Sequence, residues 1–195
     1  MRTFKNIILG SNSPRRRELL KCLDIDFQVD TGNTFEESYD PSTLPGRIPS
    51  LMSRGKSHGF HRPLEENEVL ITADTIVICD GKALGKPHSR EEAVQMLRDL
   101  SGHDHLVVTA VTVRDAHRQK TVSDCTRVTF RNLDQAEIDY YVDEYKPYDK
   151  AGAYGVQEWI GYVAIGTIKG SFYNVMGLPV HKVYSLLKEF GAIAP

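Results

Sequence analysis

The chain has 195 residues, 41% hydrophobic and 26% charged, with a formal net charge of −2. That length can bury a sizeable core, and residues 1–195 read as a single domain of an ordinary globular kind. The near-neutral charge excludes a broad nucleic-acid face, and no apolar run approaches the ~20 residues that would span a membrane.

Met1-Arg2-Thr3-Phe4-Lys5 leads straight into a strand without a signal-peptide pattern. Cys22, Cys79 and Cys125 are odd in number and widely spaced, which suits reduced, mostly buried thiols and a cytoplasmic location. Phe4–Leu9 predicts a buried strand. Directly after it stands Ser11-Asn12-Ser13-Pro14-Arg15-Arg16-Arg17-Glu18-Leu19-Leu20. Ser13 is a natural N-cap and Pro14 suits the first helical position, so a helix is expected over Pro14–Leu23. Arg15 and Arg16 then lie where free N–H groups and the helix dipole already favour an anion. Cations there oppose the dipole, so an anionic ligand explains them better than stability does. Helical spacing separates the three: Arg15 and Arg16 head the apolar stripe of Leu19, Leu20 and Leu23, while Arg17 joins Lys21 and Asp24 on the wet face. Guanidinium forks match phosphate oxygens.

Phe27–Val29 reads as a short strand and Ile48–Phe60 as a helix after a Pro/Gly-rich connection. Glu36 and Glu37 lie in a polar loop, and Lys56 lies on that helix; alone, each is ordinary. Val69–Cys79 is the strongest strand, closed by an Asp80-Gly81 turn. Alternation puts Leu70, Thr72, Asp74, Ile76 and Ile78 on one face, which sets a carboxylate among apolar neighbours. Asp74 therefore needs a cation, a metal ion, a raised pKa or backbone amides. A general base or metal-associated carboxylate is the functional reading.

Lys86, in Leu84-Gly85-Lys86-Pro87, sits in an extended loop that is no P-loop, because no GxxxxGK[ST] pattern occurs. Ser89 caps a helix through Leu100. His105–Arg114 and Thr121–Phe130 form a Val/Thr-rich hairpin, on which His103 and His105 read as exposed histidines rather than a zinc pair. Asp134 caps a helix to about Glu144, and a last helix covers about Val180–Phe190. Between them, Asp149-Lys150-Ala151-Gly152-Ala153-Tyr154-Gly155-Val156-Gln157 has glycines that let backbone approach a ligand, and Gln157 offers donor and acceptor to a base edge. The mixture of elements indicates α/β (mixed α+β) with a mixed sheet.

Taken together, Ser11–Leu20, Ala73-Asp74-Thr75, Leu84–Pro87, Asp149–Gln157 and Asn174-Val175-Met176-Gly177-Leu178-Pro179 resemble the Maf family of nucleoside triphosphate pyrophosphatases, in order and over almost the whole chain. The resemblance implies an elongated two-lobed fold with a curved mixed sheet and a central cleft, similar to the inosine triphosphate pyrophosphatases. It implies cleavage of a nucleoside triphosphate to monophosphate and pyrophosphate with a divalent metal, Mg²⁺ or Mn²⁺. By position, Asp74 matches the proton acceptor. Ser13, Arg15, Arg16, Lys56 and Lys86 match the phosphate site, and Glu37 lies near the metal with Asp74. Arg15, Thr75 and Gln157 match the dTTP/UTP branch, whereas the 7-methyl-GTP branch carries Trp, Gln and Glu there. Glu158-Trp159 departs from the family's usual Gly. A homodimer is compatible with the family, and a nucleotide-binding regulator of septum formation is the non-enzymatic alternative.

Overall fold

The computed structural model describes residues 1–195. In chain order the first elements are β1 (Arg2–Thr3), β2 (Asn6–Leu9), α1 (Pro14–Lys21), β3 (Gln28–Val29) and α2 (Ile48–His58). Then come β4 (Glu68–Cys79), β5 (Lys82–Leu84), α3 (Arg90–Leu100), β6 (Asp104–Arg114) and β7 (Gln119–Phe130). The chain finishes with α4 (Gln135–Tyr145), α5 (Trp159–Ala164), β8 (Ile165–Lys169), α6 (Phe172–Met176), α7 (Val180–Glu189) and β9 (Ile193–Ala194). The main sheet has the order β3-β2-β4-β6-β7-β8, with β5 paired to β4. It is mixed: β2 runs parallel to β3 and β4, whereas β5 and β8 are antiparallel to their partners. The fold is therefore mixed α/β, and no helix is long and apolar enough to cross a membrane.

The residues group into two compact units. The first is Met1–Asp74, Thr109–Asp124 and Gly177–Pro195; the second is Thr75–Val108 and Cys125–Met176. In the first unit, Ile8 and Leu70 from paired strands pack with Phe60 and Leu64. In the second, Val77, Leu97, Leu100, Phe130, Tyr141 and Ile160 are buried in one cluster. Helix α3 supplies its share of that core through an amphipathic face, and Ser89 caps it by accepting from the Glu92 N–H. Asp134 and Glu137 close a capping box at the start of α4.

Several boundaries differ from the sequence reading for identifiable reasons. Phe4 is exposed and outside β2, because its N–H donates to the Ala192 carbonyl beside the β1–β9 pair. Helix α1 stops at Lys21, since Leu23 and Asp24 turn away and Asp24 takes φ 53°. Helix α2 ends before Gly59, and Phe60 bridges to Asn33. Cys22 and Cys125 are exposed, so only Cys79 behaves as a buried thiol. His105 is also a correction. It is 2% exposed, and its Nε2 meets the Tyr154 hydroxyl at 2.8 Å between the rings of Tyr154 and Phe130. Inward alternation on β6 decided this, and only His103 stays outside.

Candidate active site

The strand β4 and the helix α2 are joined by hydroxyls before they are joined by charge. Thr72, fully buried, donates to the Ser53 carbonyl at 2.7 Å, and the Ser53 hydroxyl meets Thr112 Oγ1 at 3.0 Å. Asp74 is two residues beyond Thr72, hence on the same face of the strand, and Lys56 is three beyond Ser53, hence about one helical turn further. The hydroxyl bond thus sets the register in which Lys56 Nζ reaches Asp74 Oδ1 at 2.7 Å. Both side chains are mostly buried, 18% and 16% exposed. Of the ways to satisfy a carboxylate here, the protein uses a cation.

Glu37 approaches the same ammonium, its Oε1 being 3.1 Å from Lys56 Nζ. A glycine makes this possible. A Cβ on Gly55 would lie 2.2 Å from the Phe35 ring, so the bare backbone of α2 is where Phe35 rests. Thr34 N–H then donates to the Gly59 carbonyl at 2.8 Å, and Asn33 Nδ2 donates to the Lys56 carbonyl. The loop that looked merely polar in sequence is fastened along the last turns of α2.

At the start of α1, Ser13 caps the helix by accepting from the Arg16 N–H, with Pro14 in the first turn. Arg16 turns inward. Its Nε donates to the Gly177 carbonyl and its Nη1 to the Ala73 carbonyl, each at 2.8 Å. It therefore grips the residue immediately before Asp74. Burial pushes the Arg16 guanidinium below its usual range; Asp74 opposes that fall, Arg15 adds to it and Glu37 opposes it. Arg15 is half-buried beside it and Arg17 is exposed, as helical spacing required.

The second unit holds the other three candidates. Thr75 follows Asp74 on β4 and is half-buried. Lys86 is exposed beyond β5, and the carbonyl of Gly85 before it accepts from Gly152 N–H at 3.0 Å. Gly152 needs to be glycine: its φ is +68°, and a Cβ would meet Val77 at 2.8 Å. This bond ties the Leu84–Pro87 motif to the segment that carries Gln157. Gln157 Oε1 is buried with no hydrogen-bond partner, an acceptor left open in a protein whose other buried polar groups are mostly paired.

Sequence reasoning missed the parts that hold the site. Thr72, Ser53 and Phe35 gave no chemical signal, since a buried hydroxyl and an aromatic next to a helical glycine are common structural residues. Only the pairing of Phe35 with Gly55 across twenty residues could have hinted at the loop.

These features define a class: a mixed α/β protein in which two carboxylates and a lysine meet beside a buried arginine. The Maf-like protein family model matches residues 6–190, and the chain belongs to that family. Among similar proteins, the dTTP/UTP pyrophosphatase of Porphyromonas gingivalis (strain ATCC 33277) is 50% identical over 187 residues, 95% of this chain and 94% of its own. The protein of the same name from Bacteroides fragilis (strain YCH46) is 52% identical over 184 residues, 94% and 95% of the two chains. That from Flavobacterium johnsoniae is 45% identical over 181 residues, 93% of each.

Proposed function

We propose that this chain is a dTTP/UTP pyrophosphatase of the cytoplasmic nucleotide pool, releasing nucleoside monophosphate and pyrophosphate. One observation carries the chemistry: the Asp74 carboxylate, midway along β4, is shielded from solvent, yet the Lys56 ammonium lies against it and a second carboxylate meets that same ammonium. The relatives' shared name supports the substrate.

In this reading Asp74 takes a proton from water as the water oxygen bonds to the α-phosphorus, and the bond from that phosphorus to the bridging oxygen breaks. The electron pair leaves with pyrophosphate. Lys56, Lys86, Arg15 and Arg16 supply the positive potential that this growing charge demands, and the Ser13 hydroxyl can donate to a phosphate oxygen. Arg16 contributes from behind, since its Nε and Nη1 already hold backbone carbonyls. Gln157 presents its open acceptor to a pyrimidine edge, with Arg15 and Thr75 completing the selection.

A divalent cation fits the donors present. Glu37 and Asp74 are hard oxygen ligands that already share one positive group, the Lys56 ammonium, and such ligands suit Mg²⁺ or Mn²⁺. They would hold it. When bound, such an ion neutralises phosphate charge and lowers the pKa of water.

The test is pyrophosphate release from dTTP, UTP, CTP, GTP and 7-methyl-GTP with Mg²⁺ or Mn²⁺, beside Asp74→Asn. Turnover of dTTP and UTP that falls about 10²–10⁴-fold in the variant, with nucleotide still bound, is expected of a lost general base. Turnover of guanine nucleotides alone would overturn the substrate reading. Binding without turnover in the unmodified protein would favour the septum regulator.

A further inference from the structure

Glu158, the residue after Gln157, is the end of a charged network around that side chain. Glu158 N–H donates to the Gly155 carbonyl at 3.0 Å, closing a four-residue turn with Val156 and Gln157 at its centre. A single phenol clasps both ends of this turn. The Tyr141 hydroxyl accepts from the Gly155 N–H at 3.0 Å and donates to Glu158 Oε2. The other carboxylate oxygen, Oε1, lies 3.0 Å from Lys150 Nζ, which also meets Asp149 Oδ1 at 2.8 Å. Lys150 is only 7% exposed and Tyr141 is fully buried. On the far side, a Cβ on Gly161 would lie 1.9 Å from the Val156 carbonyl, so α5 presses directly on the turn.

A buried ion pair is weak grounds for stability, because desolvating two charges offsets much of their attraction. What this one adds is direction. Carboxylate, phenol and ammonium each have one satisfied geometry, and together they leave the turn little freedom.

That rigidity matters for a primary amide. Uracil and thymine offer an acceptor at O4 beside a donor at N3, whereas cytosine offers a donor at N4 beside an acceptor at N3. A glutamine free to rotate can serve either pattern by exchanging its oxygen and nitrogen. A glutamine on a turn that cannot shift presents its amide to the base from one direction only, and its Oε1 is the buried acceptor that has no partner within the protein.

We propose that Glu158, held by Lys150 and Tyr141, is a positioning residue for base selection: it fixes the Gly155–Glu158 turn so that Gln157 accepts uracil or thymine and rejects cytosine. The proposal rests on Gln157 meeting the base, as in the function proposed above. Glu158 itself touches neither substrate nor metal.

The experiment compares kcat/KM for UTP and CTP, with Mg²⁺, in the unmodified protein and in Glu158→Ala, Glu158→Gln, Tyr141→Phe, Gln157→Ala and the Gln157→Ala/Glu158→Ala pair. In Glu158→Ala the preference for UTP over CTP is expected to shrink about tenfold, through a higher KM for UTP and a gain on CTP. Glu158→Gln should recover part of it, because its amide oxygen can still accept from Tyr141. The double variant should lose no more preference than Gln157→Ala alone. Equal losses on both nucleotides would mean a purely structural role and overturn the proposal. So would an unchanged preference in Glu158→Ala and Tyr141→Phe while Gln157→Ala loses it, leaving the reading of Gln157 intact. An unchanged preference in Gln157→Ala would remove that reading and the proposal together. If Glu158→Ala does not fold, Tyr141→Phe decides, since it keeps the buried ring and removes only the clasp.

Discussion

Replacing Thr72 with valine breaks the link that sets α2 against β4 without creating a cavity. The hydroxyl that donates 2.7 Å to the Ser53 carbonyl becomes a methyl of similar size. Removing one partner of a buried hydrogen bond costs about 1–3 kcal/mol, and we take about 1.5 because the helix still uses that carbonyl. For a chain of 195 residues this lowers Tm by about 3–6 °C. The larger effect is on chemistry. Lys56 and Asp74 meet at 2.7 Å through the register this bond sets, and a slip of about 1 Å in a reacting group can cost about 10²-fold. Pyrophosphate release from dTTP should fall ten- to a hundredfold in kcat/KM, by about those factors. Ser53→Ala is the control. It removes the 3.0 Å contact with Thr112 but keeps the carbonyl that Thr72 needs, so stability should fall by a similar amount with kcat/KM nearly unchanged. A Thr72→Val protein with lowered Tm and full activity would refute the argument that this bond places the catalytic pair.

Other consequences follow from particular contacts. In Gly55→Ala the new methyl would meet the Phe35 ring and displace the loop carrying Glu37, so half-maximal activity should need about tenfold more Mg²⁺, with kcat recovered at saturating metal. An unchanged metal titration would remove Glu37 from the metal site. Lys86→Gln should raise KM and lower kcat together, about 10²-fold in kcat/KM, because phosphate charge grows on the leaving group. Its melting curve should not move, since Lys86 is exposed; a kinetic loss confined to KM would contradict the assignment. Burial takes His105 from the usual 6.5 down to about 4, against small opposing effects of the His103 backbone and Asp104. Between those values the unfolded chain binds a proton that the folded one refuses, so stability is full above the upper value and falls as pH drops through the window. Urea unfolding should show about 2 kcal/mol less stability at pH 5 than at pH 7 from this group, and His105→Gln should flatten that slope.

Local chemistry was largely legible along the chain. The cap at Ser13, the proline after it, the capping residues Ser89 and Asp134, and the Val/Ile-rich β4 all depend on neighbours within a turn or a strand. Arg16 and Asp74 stood out because each contradicts its local surroundings, and such contradictions need a partner from elsewhere. Less legible was the segment from α5 to α6, where short elements carry no sustained period and Gly161 and Gly166 interrupt both patterns. His105 was misread because its hairpin neighbours suggested exposure, while the rings of Phe130 and Tyr154 that enclose it come from distant sequence.

The sequence by itself determined most elements, the family and the candidate site residues, because these rest on short-range backbone preferences and on motifs in fixed order. Tertiary structure decided which groups act on one another. Asp74 is satisfied by Lys56, Glu37 joins them through the Phe35–Gly55 contact, and Arg16 grips the strand from behind. Glu158 stands clasped by Lys150 and Tyr141. Distances of a few ångströms between residues far apart in the chain come from packing, and the strength of a hydrogen bond or charge pair depends on those distances and on the exclusion of water around them.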